Sequence, residues 1–253
     1  MPRVATGESV VSRAVRVVEA FGIDDEALTV GDIARRTGLH VATASRLIEE
    51  LVRVGWLERN GKDVRIGMRL WEIASRSSPT LGLREAAMPF MEDLHQVIGY
   101  DVQLAILEGT EVLFVERLSS PGEVVNYSRI AGRLPAHASS SGLVLLAHAD
   151  PAGQELAMAA PMKAFTRNTI HTPAQLRTTL ARIRREGYAL CPGHIYADTT
   201  GIAAPVRGRD GTVVAALGLI MPNDDSAFAK VPAVQACARG ISRVMASTST
   251  RTS

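Results

Sequence analysis

Residues 28–47 read Leu28-Thr29-Val30-Gly31-Asp32-Ile33-Ala34-Arg35-Arg36-Thr37-Gly38-Leu39-His40-Val41-Ala42-Thr43-Ala44-Ser45-Arg46-Leu47. Thr29 is a good helix N-cap, and Asp32 three residues on completes a capping pattern. Ile33 and Ala34 turn inward, and the helix ends near Gly38. A second helix runs from about residue 40 to 54, with Ala44, Leu47, Leu51 and Val54 on one face and Gly55 as its stop. Two short helices at a steep angle need a small residue where they cross and a glycine in the turn. Ala34 and Gly38 meet that need, and Ala44 and Leu47 pack the second helix onto the first. The stretch reads as a helix-turn-helix.

Working outward, Val10, Ala14, Val17, Val18 and Phe21 fall at helical spacings, Gly22 stops that helix, and Asp24, Asp25 and Glu26 form a solvated loop. Downstream, Trp56-Leu57-Glu58-Arg59 and Val64-Arg65-Ile66 flank Asn60-Gly61, a strong hairpin signal. Helices followed by a hairpin make the winged variant. Leu70, Trp71, Ile73 and Ala74 predict one more helix before Ser77-Ser78-Pro79, which reads as a linker. Residues 1–8 and 246–253 are polar and unpatterned, as frayed tails are.

The core does not need His40, Val41, Ala42, Thr43 and Arg46, which leaves the start of the later helix free to enter a major groove. Arg46 can reach a guanine edge or a phosphate, and Thr43 a phosphate or a thymine methyl. Lys62 and Arg65 on the hairpin can clamp backbone phosphate. Thr29 and Arg35 complete the expected DNA-binding set. The alternative is a helical packing unit, or a winged helix that binds protein.

Past the linker the texture changes. Leu83, Ala87, Phe90, Leu94 and Val97 mark a helix. Val102, Leu104 and Ile106 alternate as a strand, Glu108-Gly109-Thr110 turns, and residues 112–117 return. Residues 139–148 read as a helix. Thr172-Pro173 starts another, with Leu176, Leu180 and Ile183 inside and Gly187 at its end. Residues 202–206 and 212–221 are strands around an Asp210-Gly211 turn, and a last helix carries Val234, Cys237, Ile241 and Met245. The fold class is α+β.

The 253 residues suit two domains, and 46% hydrophobic content supports real cores. No apolar run has the roughly 18–20 residues of a membrane helix. The N-terminus lacks a signal-peptide core, so the expected location is the cytoplasm. Two cysteines, Cys191 and Cys237, make no disulfide framework. Net charge is +2, of which residues 1–78 hold +1, so DNA affinity has to come from where the charges sit.

Other chemistry is weaker. Cys191-Pro192-Gly193-His194 with Asp198 has metal-like spacing, to which His137, His148 and His171 can add, but one Cys-x-x-His is half a zinc site. Ser139, Ser140 and Ser141 near His137 hint at a nucleophile and base, yet no Gly-x-Ser-x-Gly elbow is present. No P-loop or dinucleotide pattern appears. The expectation is no enzyme, no metal and no cofactor. The alternative is a ligand- or metal-binding sensor acting through protein partners.

Residues 9–245 resemble the IclR family of bacterial transcription regulators. The resemblance is carried by Ser9-Val10-Val11-Ser12-Arg13-Ala14, by the helix-turn-helix, and by Ile66-Gly67-Met68-Arg69-Leu70-Trp71-Glu72. In the second half it is carried by Gly132-Arg133-Leu134-Pro135-Ala136-His137-Ala138, Gly187-Tyr188-Ala189 and Ile202-Ala203-Ala204-Pro205-Val206. It implies a winged helix-turn-helix over 1–66, a linker helix over 67–80, and a GAF-like effector-binding and oligomerisation domain over 81–253 with a curved antiparallel sheet. It further implies a homodimer or dimer of dimers on pseudo-palindromic double-stranded DNA, and a small organic effector. Whether such a protein represses or activates is left open.

Departures from the family pattern are equally informative. Where the family has Lys-Ser-Thr at the start of the recognition helix, this chain has Val41-Ala42-Thr43. In the effector region, an acid, a cysteine and two serines of the family are matched by Cys191, Gly201, Gly218 and Ile220, while Ser139-Ser140-Ser141-Gly142 is richer in hydroxyls than usual. The expected effector site therefore comprises Leu134, Ser139, Ser140, Ser141, Gly142, Cys191, His194, Gly201, Gly218 and Ile220. It should suit a ligand larger and more apolar than pyruvate, with Ser140, Ser141 and His194 as polar anchors.

Overall fold

The computed structural model describes residues 8–76, 80–119 and 130–247. The expected linker Ser77-Ser78-Pro79 and most of both expected tails lie outside the described residues. The described chain divides into two compact units, residues 1–81 and 82–253.

The first unit runs α1 (Val10–Glu19), β1 (Leu28–Thr29), α2 (Val30–Thr37), α3 (Val41–Arg53), β2 (Leu57–Asn60), β3 (Asp63–Ile66) and α4 (Met68–Arg76). Thr29 caps α2: its hydroxyl accepts from the Asp32 amide at 3.1 Å while the Asp32 carboxylate accepts from the Thr29 amide at 3.2 Å. Gly38 ends α2 at φ 66°, a left-handed turn that an L side chain resists. Val17, Ile33, Leu47, Ile48, Leu57 and Val64 form the core. The hairpin gains a third strand, β1, which pairs antiparallel with β3 through Leu28–Val64 and Thr29–Asp63. One expectation changes: Asp25 is not simply solvated. Its carboxylate accepts from the Gly22 amide at 2.7 Å and pairs with Arg36, which also donates to the Ala20 carbonyl at 2.9 Å. These bonds tie the loop after α1 to α2.

The second unit is built from α5 (Leu81–Ile98), β4 (Asp101–Glu108), β5 (Glu111–Leu118), β6 (Arg133–Pro135), α6 (Ser140–His148), α7 (Pro151–Ala159), α8 (Pro173–Glu186), β7 (Ala189–Pro192), β8 (Thr199–Arg207), β9 (Val213–Pro222) and α9 (Ala227–Ser247). The sheet is antiparallel in the order β6-β5-β4-β9-β8-β7. Successive strand residues face opposite sides. Leu104, Ile202, Leu217 and Leu219 therefore pack with Leu94, Val234 and Ile241 of α5 and α9. Ala105, Ala203 and Ala216 pack on the other side with Leu143 and Leu146 of α6 and Leu176 and Leu180 of α8. Small residues on that second side let α6 sit close to the strands.

Three details depart from the sequence reading. Val97 is 83% exposed, so the inward face of α5 runs instead through Leu83, Ala87, Met91 and Leu94. The C-terminal tail starts later than 246, because α9 continues to Ser247, whose hydroxyl donates to the Val244 carbonyl at 2.9 Å. The short elements β6, α7 and β7 are additional.

Candidate functional site

Two surfaces hold the candidate residues. The first is the start of α3. The His40 ring caps the helix, Nδ1 accepting from the Ala42 amide at 3.4 Å. His40, Val41, Ala42 and Arg46 are exposed and Thr43 is half-buried, whereas Ala44, Leu47 and Ile48 on the opposite face are buried. Arg46 has no intramolecular partner among the described residues. The first-turn amides and the partial positive charge of a helix N-terminus point to the same side. Lys62 and Arg65 are exposed on the hairpin, Arg65 standing opposite Glu58 in register.

Thr29 and Arg35 are differently placed. The Thr29 hydroxyl is committed to the α2 cap, donating to Asp32 Oδ2 at 2.6 Å, and Arg35 donates to Asp32 Oδ1 at 2.6 Å. These bonds hold the Asp32 carboxyl below its ordinary range, the Thr29 hydroxyl and amide contributing most and Arg35 next. Arg35 keeps an exposed side chain, and the Thr29 hydroxyl is bonded within the cap.

The second surface is the N-terminus of α6 against the sheet. Ser139 caps α6, accepting from the Gly142 amide at 3.1 Å. Ser140 and Ser141 are 3% and 1% exposed. A Cβ on Gly201 would lie 2.7 Å from Ser140 Oγ, and one on Gly218 would lie 2.8 Å from Ser141 Oγ. A Cβ on Gly142 would meet the backbone of Ala136, whose carbonyl carbon would be 2.7 Å away. The glycines on the strands thus make the room that the helix serines fill. Ser141 Oγ is buried with no hydrogen-bond partner among the described residues.

Cys191, Gly201 and Ile220 stand side by side across β7, β8 and β9. Burial pushes the Cys191 thiol up to about 12, so the free thiol stays neutral and is a poor nucleophile. Leu134 on β6 is half-buried and packs against the α6-side core.

His194 lines a cleft of about 550 Å³ together with Arg167, Thr169, Gln175, Thr178 and Arg182, and its ring reaches the backbone of Ala138, the residue before Ser139. Its carbonyl accepts from Thr169 Oγ1 at 2.6 Å, and its Nδ1 is buried with no hydrogen-bond partner among the described residues. Burial lowers the ring below its ordinary 6.5; the Ala138 backbone opposes this and the Arg182 charge adds to it. Arg182 and Thr169 were missed in the sequence, since they come from α8 and a loop distant in the chain. Among the described residues, no group of three or more His, Cys, Asp or Glu side chains is placed to hold a metal ion. No helix of the described residues is long and apolar enough to cross a membrane.

The IclR helix-turn-helix domain matches residues 10–61, and the bacterial transcriptional regulator IclR C-terminal domain matches residues 77–243. The HTH-type transcriptional regulator XynR of Escherichia coli strain K12 is 30% identical over 212 residues, 83% of this chain and 84% of that protein. The crystal structure of an IclR homolog complexed with 4-hydroxybenzoate, from Microbacterium hydrocarbonoxydans, superposes with a TM-score of 0.91 at 45% identity, covering 95% of this chain and all of that one (100%). An IclR homolog from Microbacterium sp. strain HM58-2 is 43% identical with a TM-score of 0.63, covering 96% and 100% of the two chains. With a helix-turn-helix domain matched in the first unit and a C-terminal domain matched over its whole sheet, the chain belongs to the IclR family of DNA-binding transcription regulators.

Proposed function

We propose that this regulator reads its operator as a homodimer and responds to an aromatic acid. Arg46, Thr43 and the exposed start of α3 enter the major groove, and Lys62 and Arg65 grip phosphate. One recognition helix reads few bases, so two copies on half-sites about one helical turn or a multiple apart supply the specificity. The exposed apolar residues of the first unit suit subunit contacts: Val10, Val11 and Val15 on α1, and Met68, Trp71 and Ile73 on α4, a helix with no buried residue. The protein acts in the cytoplasm, as a regulator rather than a catalyst.

The effector reading rests on one observation: a protein 45% identical to this chain was solved with 4-hydroxybenzoate. The residues here agree with such a ligand. The segment from Leu134 to Gly142 and the strand positions Cys191, Gly201, Gly218 and Ile220 present mostly small or apolar groups, with Ser140 and Ser141 as the hydroxyl donors. A buried hydroxyl without a partner costs about 1–3 kcal/mol, so Ser141 Oγ is poised to pair with a ligand oxygen. His194 and Arg182 offer donors for a carboxylate.

Calorimetry tests this reading. We expect 4-hydroxybenzoate to bind more tightly than pyruvate, and Ser141→Ala to weaken it about tenfold, the loss of one hydrogen bond near 1.4 kcal/mol. Tighter binding of pyruvate, with 4-hydroxybenzoate indifferent to Ser141→Ala and His194→Ala, would contradict it.

A further inference from the structure

A second cleft, of about 570 Å³, opens where β8, the β8–β9 turn and α9 meet. Its lining includes four arginines, Arg207, Arg209, Arg239 and Arg243, and no carboxylate. Ala204, Pro205, Ala238 and Ala246 give it an apolar floor. Among the described residues none of the four arginines has an acidic partner. Arg207 donates to the Gly211 carbonyl at 2.9 Å, which fixes its guanidinium at the mouth of the turn. Arg209, Arg239 and Arg243 are exposed. Two acids adjoining lining residues in sequence have partners of their own: Glu186 with Arg182 and Arg185, and Asp210 with the Thr212 hydroxyl and amide. The positive field extends to half-buried His148, which Arg207 and Arg184 help to hold below its ordinary range, after burial as the main cause.

The backbone narrows what can enter. β7 pairs with β8 only from Pro192–Thr200 to Ala189–Ala203, so β8 has an uncovered edge from Ala204 onward. An uncovered edge invites another strand. Here Pro205 has no amide hydrogen, and the Arg207 amide already donates to Ser242 Oγ at 2.9 Å. The edge is closed to strand addition at these two positions, while the side chains around it remain open. Guanidinium groups bind carboxylate and phosphate oxygens in a bidentate fork. The volume falls within the range of small-molecule sites.

We propose that this cleft binds a small organic anion carrying at least two negative charges on a flat apolar body, at a site separate from the 4-hydroxybenzoate reading above. The charges pair with arginines of the turn and α9, and the apolar body lies on Ala204, Pro205 and Ala238. Carboxylate and phosphate forms share this chemistry.

The test titrates the full chain with terephthalate and ADP as the two chemical arms, pyrophosphate as an anion without a flat apolar body, and benzoate as a single-charge control. Each titration is repeated with the exposed double variant Arg239→Gln/Arg243→Gln, whose folding is checked by thermal denaturation. We expect terephthalate or ADP to bind with strong salt dependence, ahead of pyrophosphate and benzoate. The double variant should weaken that binding at least tenfold without lowering the melting temperature. Which arm binds identifies the oxygen chemistry. The proposal is overturned if neither terephthalate nor ADP binds, or if the double variant binds them as the wild type does. It is also overturned if these anions do not bind and the double variant loses only DNA affinity, which would make the cleft a phosphate-backbone contact.

Discussion

The N-termini of α3 and α6 are built alike and used in opposite ways. Each opens on a side-chain cap, His40 in one and Ser139 in the other. On α3 the next residues, Val41 and Ala42, face solvent, and a turn later Arg46 does too. On α6 the next residues, Ser140, Ser141 and Gly142, are buried against β8, β9 and the Ala136 backbone. An exposed N-terminus can change residues without disturbing the fold, so its chemistry is free to follow the partner. A buried one cannot change alone: each hydroxyl on α6 depends on a glycine facing it. This explains how the effector region departs from its family at several positions together. In the family pattern a cysteine stands where this chain has Gly201 and two serines where it has Gly218 and Ile220, and here the hydroxyls lie on the helix.

The comparison predicts a graded response. The largest effect belongs to Gly142→Val. Its side chain would run into the Ala136 backbone, which cannot rotate away. Overpacking of this kind costs about 1–3 kcal/mol or more, and denaturant titration should show the second unit destabilised by at least that amount; unchanged stability would break the claim of close packing.

Next comes the serine–glycine pairing. Gly218→Ala should cost about 1–3 kcal/mol because the new methyl meets Ser141 Oγ and Gln103. Ser141→Gly should recover part of that loss, giving a coupling of about 0.5–3 kcal/mol in a double-mutant cycle. Strict additivity would show that the two positions are independent.

A smaller effect is expected at the cap of α2. Thr29→Ala removes a hydroxyl bonded to both the amide and the carboxylate of Asp32, a change worth about 0.5–2 kcal/mol. Specificity for DNA should be unchanged, and a changed base preference would return Thr29 to the recognition surface.

Acid should act on the second unit through His148 and His194. Both are held below their ordinary 6.5, chiefly by burial. The unfolded chain therefore takes up protons first. The stabilisation is fully present above pH 6.5 and is lost as pH falls from there toward the lowered folded values. A melting temperature that falls between pH 7 and pH 5, less so in His148→Gln and His194→Gln, is the expected result; a flat profile contradicts it.

The sequence was most readable where structure is local. Thr29 with Asp32, Gly38, and Asn60-Gly61 each determine a cap or a turn from residues within a few positions, and the first unit follows from them. Asp150-Pro151 carried a local signal too: Asp150 accepts from the Gly153 amide at 2.7 Å and starts α7, yet the short apolar pattern behind it hid the helix. β7 has only Ala189–Pro192 in which to alternate, too few residues to stand out from a loop. Val97 fell on the apolar spacing of α5, but in its last turn Ile98 is the residue that packs on the core, while Val97 faces solvent. The pairing of Ser140 with Gly201 and of Ser141 with Gly218 joins residues about 60–80 positions apart through sheet register, so the substitutions were visible in the sequence and their mutual dependence was not.

The most direct test of the account is a titration of Arg46→Ala on the operator, located by footprinting the DNA beside the protein's own gene, against a scrambled duplex of equal length. A base contact from Arg46 is worth about 1–3 kcal/mol. The variant should keep its fold and its weak affinity for scrambled DNA while its operator preference falls about tenfold or more. Operator preference equal to that of the wild type would show that the exposed start of α3 is not the surface that reads DNA.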